Sequence, residues 1–187
     1  VEFDDVQTAV FESPFHYSDQ VTYYQYSDGD GQKPDVLAQM ILTCHKRYNK
    51  RMMVLFTSRA QLENTYQVLQ RHPDGRNLPI YAQKRQASRM GLVRGMHQSP
   101  NGILLGTNAF WEGVDLPGDL LEVLIIVKMP FDVPTEPLVK AYGNMIETEG
   151  GNRFMDYALP ESVIRFRQGF GRLIRTAYDE GIFIVMD

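Results

Sequence analysis

The chain is 187 residues long, 43% hydrophobic and 22% charged, which suffices for one well-filled core and is short for two. Its single Cys44 excludes an internal disulfide and most zinc sites, and no apolar run approaches the length that crosses a bilayer. The net charge of −4 is uneven: residues 1–35 hold eight acids and one base, a balance of −7, and the rest carry 18 bases against 15 acids, +3. So mildly basic a body lacks the charge of a domain that grips nucleic acid unaided, and a grip shared with a partner domain is expected instead.

Residues 1–20 are expected to form an acidic arm ahead of one domain, residues 21–187. Val21 to Tyr26 reads as a strand from its β-branched and aromatic residues. The turn Asp28-Gly-Asp-Gly31 opens like a calcium loop, but Gln32 and Gln39 stand where loop positions five and twelve require other ligands, so calcium is excluded. Pro34 opens a helix to about Tyr48, with Leu37, Met40, Ile41 and Cys44 as its apolar stripe. There follow a strand at 52–56, a helix at 59–71, a short strand at 79–82, a helix at 86–98 and a strand at 103–106. A buried strand is expected over 120–128, helices at about 136–149 and 161–178, and a last strand at 182–185. Short apolar strands alternating with amphipathic helices imply an α/β fold, a mostly parallel sheet covered on both faces. No repeat or low-complexity linker interrupts it.

The stretch Gln168-Gly-Phe-Gly-Arg-Leu-Ile-Arg175 falls within the expected helix 161–178, whose four Arg against one Glu give +3. Offsets of 0, 4 and 7 would put Gln168, Arg172 and Arg175 on one stripe. Gly169 and Gly171 each cost a helix interior about 1 kcal/mol relative to Ala, a cost accepted where something approaches the backbone closely. Two guanidinium forks there suit a polyphosphate. The other reading is a solvated basic face, salt-bridged to acidic loops.

Residues 102–118 form a second stretch. The apolar run Ile103–Leu105 stops at Gly106-Thr107, and a loop follows carrying Glu112 and Asp115 around Gly113. Loops at the carboxyl ends of parallel strands are where α/β folds place ligand chemistry. Asp115 also suits a structural turn cap ahead of Leu116-Pro-Gly118, and Phe110 and Trp111 suit either base stacking or the core. Thr57, Ser58, Thr107 and Asn108, at strand ends, suit contacts to a phosphate backbone. Lys84, Arg85 and Arg89 suit such contacts or a solvated helix start. No glycine is followed by lysine, so the chain carries no phosphate-cradling G-x-x-x-x-G-K loop. The four histidines have no ligand spacing.

Val54-Leu-Phe-Thr-Ser58, Trp111-Glu-Gly-Val-Asp-Leu-Pro117 and Gln168-x-x-Gly-Arg-x-x-Arg175 resemble, in order, motifs IV, V and VI of superfamily 2 helicases of the DinG/XPD-like group. Ser13-Pro-Phe15 and Met129-Pro-Phe131 are similar to that group as well. The resemblance implies a RecA-like second motor domain of a longer polypeptide, without a phosphate loop of its own. It implies ATP and Mg²⁺ as cofactors, bound mainly by the first motor domain, and single-stranded DNA as partner. Arg172 and Arg175 would be arginine fingers, with Gln168, Glu112, Gly113 and Asp115 contacting nucleotide. The iron–sulphur cluster of some members uses cysteines of the first domain. The expected location is cytoplasmic.

Overall fold

Among the described residues, every residue of four strands is buried, whereas the remaining two strands are partly exposed, and this matches which strands lie inside the sheet. The computed structural model describes residues 9, 13, 15–84, 87–107, 110 and 121–187. In chain order these form a one-turn helix α1 (Tyr17–Gln20), β1 (Val21–Gln25), α2 (Pro34–Tyr48), β2 (Met52–Leu55), α3 (Arg59–Arg71), β3 (Ile80–Ala82), α4 (Arg89–Gln98), β4 (Ile103–Gly106) and β5 (Val123–Ile126). Then come α5 (Pro137–Thr148), a π-helical turn (Phe154–Ala158), α6 (Leu159–Phe170) and β6 (Gly181–Val185). Among the described residues the sheet has the order β1-β6-β5-β2-β4-β3, and every pairing is parallel.

The register sorts the core into two faces. Met52, Ile103, Val123 and Ile182 lie side by side across the sheet, and with Val54, Leu105, Ile125 and Ile184 they pack against α2 and α3. Met53, Leu104, Leu124 and Phe183 form the next row and point the other way, under Leu92 and Met96 of α4 and Phe166 and Phe170 of α6. A strand alternates faces with period two, so strands covered on both sides become continuous apolar runs. Gly106 falls in the second orientation, beside Leu55 in the row that continues through Ile126 and Val185, and its missing side chain leaves room for the buried ring of Phe110.

Local chemistry sets the element ends. Ser58 and Ser88 cap α3 and α4, accepting hydrogen bonds from the backbone N–H of Gln61 and Gly91 at 3.4 and 3.1 Å. The Ser88 cap explains why α4 begins at Arg89 rather than at 86. Asn49 ends α2 in the left-handed conformation, φ 50°. Of the strand expected over 120–128, the described residues form β5 over Val123–Ile126, paired with β2 and β6. Ahead of β1, Phe15 packs on the second core face and Tyr17 sets its ring edge-on to Phe170 at 5.3 Å.

Candidate functional site

Those of the residues singled out in the sequence that the structure describes fall mainly into two groups. At the carboxyl ends of β2 and β4 stand Thr57, half-buried, Ser58, exposed, and Thr107, buried. Both the backbone N–H and the hydroxyl of Thr107 donate to Gln83 Oε1, at 2.8 and 2.9 Å, so its hydroxyl proton points into the protein. Gln83 therefore holds the start of the loop after β4. Nothing in a glutamine behind a three-residue strand announced that role. Phe110 is fully buried and belongs to the core, which removes it as a base-stacking residue. Asn108, Trp111, Glu112, Gly113 and Asp115 lie outside the described residues, as does Arg85. Lys84 sits over the ring of Tyr66 at 4.1 Å, and Arg89 over that of Phe110 at 5.9 Å.

The second group lies on the connection from α6 to the amino end of β6. The expected helix 161–178 is corrected here: α6 ends at Phe170, so Gln168, Arg172 and Arg175 do not share a helical stripe. Gln168 is exposed on the last turn, Arg172 is buried with 7% of its surface accessible, and Arg175 is half-buried beyond it. Two causes end the helix. Leu173 and Ile174 turn into the second core face, and the Leu173 side chain covers Gly181, where an added Cβ would come within 2.5 Å of it. Asp179 then captures N–H groups that a longer helix would have used. Its carboxylate accepts from the backbone N–H of Arg175 at 2.7 Å and of Thr176 at 2.8 Å, and from the Thr176 hydroxyl at 2.7 Å. Side chains of this kind compete with the helix for its own backbone. Burial pushes the Asp179 carboxyl up, but the Thr176 hydroxyl, the two backbone donors and the nearby Arg175 charge outweigh it and hold it below the ordinary value.

A third feature, missed in the sequence, is the pair Asp132–Arg165. Arg165 Nη1 donates to Asp132 Oδ1, and Nη2 to Oδ2 at 2.8 Å, a two-pronged contact between the loop after β5 and the middle of α6. Among the described residues no group of three His, Cys, Asp or Glu side chains could hold a metal ion. In the same residues no helix is long and apolar enough to cross a membrane.

Residues 41–187 match the family described as the helicase C-terminal domain. The chain belongs to that family. Its relatives make it a DinG/XPD-like member. A Bacillus subtilis protein named 3'-5' exonuclease DinG is 36% identical over 189 residues, covering 97% of this chain and 20% of that protein. A Haemophilus influenzae protein named ATP-dependent DNA helicase YoaA is 34% identical over 179 residues, covering 94% of this chain and 27% of that protein. A solved structure described as an XPD helicase superposes with a TM-score of 0.65 at 18% identity, over 88% of this chain and 31% of that one, which shows the shared RecA-like fold. The helicase C-terminal domain thus spans between 20% and 27% of the length of these two relatives.

Proposed function

We propose that this helicase C-terminal domain is the second motor domain of an ATP-dependent DNA helicase acting on single-stranded DNA. Phosphoryl transfer asks little covalent chemistry of the protein, so charge and positioning dominate. In this reading Arg172 and Arg175 are the charges offered to the γ-phosphoryl group across the cleft to the first motor domain. Arg175, the more exposed, makes the direct contact, and Arg172 contributes from the buried side. An arginine finger is worth roughly 10³–10⁵ in rate in GTPases. Gln168, with Glu112, Gly113 and Asp115, contacts the nucleotide. In this reading Mg²⁺ is held mainly by the first motor domain.

The observation that carries the reading is the separation of the two residue groups. Hydroxyls at the carboxyl ends of β2 and β4 (Thr57, Ser58 and, by its lone pairs, Thr107) suit a nucleic-acid backbone, and the proposal assigns Asn108 to the same contact. The arginines occupy another end of the sheet, on the connection into β6, so the finger charge and these hydroxyls do not compete for one place. Alone, the 187 residues are expected to hydrolyse no ATP and to bind single-stranded DNA weakly, with affinity falling as salt rises.

A second reading has one support: the Bacillus subtilis relative is named an exonuclease. There the domain is a nucleic-acid-binding module of a nuclease that does not unwind. Strand separation by the full-length protein on a tailed duplex distinguishes them. ATP-dependent release of the displaced strand supports the motor, and DNA binding without release supports the module.

A further inference from the structure

The arginine-bearing connection is held by polar groups, and one of them comes from 156 residues away. The Asp179 carboxylate accepts from the backbone N–H of Arg175 and of Thr176. Gln20 Nε2 donates to the carbonyl oxygens of Thr176 and Asp179, at 3.0 and 2.9 Å. Gln20 is the last residue of α1, and only 9% of its surface is accessible. Its own Oε1 is buried without a donor among the described residues. An unmet buried acceptor is destabilising, so apolar packing alone gives no reason for a glutamine here. Its two donated bonds do. Tyr17, on the same helical turn, packs edge-on against Phe170, the residue at which α6 ends.

We propose that Gln20 and Asp179 are positioning residues for Arg175. They fix the backbone that carries its guanidinium, and Gln20 ties that backbone to the segment entering the domain ahead of β1. The inference rests on the reading of Arg175 as a finger. A finger works by being in place before the phosphoryl group moves. A residue that sets its backbone therefore acts on turnover and spares ground-state nucleotide binding. Any displacement of the segment ahead of β1 would pass to Arg175 through the Gln20 carboxamide.

The test uses the full-length polypeptide that carries this domain. Gln20→Leu keeps the bulk and removes both donors, and Asp179→Asn keeps the shape and removes the charge. DNA-stimulated ATP turnover is measured well below the melting temperature of each variant, which is followed in parallel. Each variant is expected to lose about 10–100-fold in kcat, the scale of a misplaced catalytic group, with KM for ATP nearly unchanged. Retention of wild-type kcat by both, or equal losses in kcat and in ATP affinity, overturns the proposal. Arg175→Ala separates the two layers. If it keeps wild-type turnover, the finger reading fails and this inference with it. If it abolishes turnover while Gln20→Leu and Asp179→Asn remain fully active, only the positioning inference fails.

Discussion

Gly106→Ala is the most informative single methyl to add. At an unstrained strand position, Gly→Ala stabilises by about 0.4–1 kcal/mol because the unfolded chain loses freedom. Here the new Cβ would lie 2.7 Å from Cγ and 2.8 Å from Cβ of Phe110, whose ring is fully buried and cannot swing into solvent. Overpacking of this kind costs about 1–3 kcal/mol, so the sign reverses. In a domain of this size that corresponds to a melting temperature lower by roughly 3–10 °C. Urea unfolding of the 187-residue chain measures it through the midpoint, with the slope unchanged. A double-variant cycle assigns the cause: in a Phe110→Ala background the penalty should fall by roughly half or more, since the two sites touch. A stabilising Gly106→Ala, or the same cost in both backgrounds, refutes the packing argument. The displacement also reaches the loop after β4, because the Phe110 N–H donates to the Thr107 carbonyl at 2.7 Å.

Three further predictions follow from the same structure. Asp132→Ala should destabilise by about 1–2 kcal/mol, because both arms of Arg165 lose their acceptor; partial exposure of the pair moderates the cost. Chemical denaturation checks this, and an unchanged midpoint contradicts it. Asp179 has a depressed folded-state pKa, so its contribution is complete above the unfolded carboxyl value of about 4 and is lost as pH falls through the lower folded value. The stability gap between wild type and Asp179→Asn should hold steady from pH 7 to about 5 and close on further acidification; a gap that widens in acid contradicts this. Burial pushes the Cys44 thiol up to about 11, leaving roughly one thiolate in a thousand at pH 8. Alkylation should be slow in the native chain and fast in urea, and rapid native labelling contradicts the buried setting.

The inner strands were legible because their rows alternate faces under full burial: Met52-Met53-Val54-Leu55 reads as one apolar run since both sheet faces are covered. Helix α2 was legible from Pro34 at its start and from its apolar stripe. The end of α6 was not, because the decision is made at a distance. Asp179, nine residues beyond Phe170, competes for the N–H groups of Arg175 and Thr176, and Gly181 offers Leu173 a seat in the core. Helical periodicity cannot register either event. Pairings such as Thr107 with Gln83, Asp132 with Arg165 and Gln20 with Thr176 join distant segments of chain and leave no local pattern. Phe110 was ambiguous for a related reason: an aromatic after a strand end is core or surface depending on whether a glycine opposite makes room for it.

The central claim, that this domain supplies arginine charge to a DNA-driven ATPase, is tested most directly by single-stranded-DNA-stimulated ATP hydrolysis in the full-length protein. Wild type is compared with Arg172→Ala and Arg175→Ala, and ATP binding is measured in parallel. The account predicts that DNA stimulates the wild type and that Arg175→Ala loses about 10³-fold or more in turnover while still binding ATP. Absence of stimulated turnover in the wild type, or full turnover in Arg175→Ala, would contradict it.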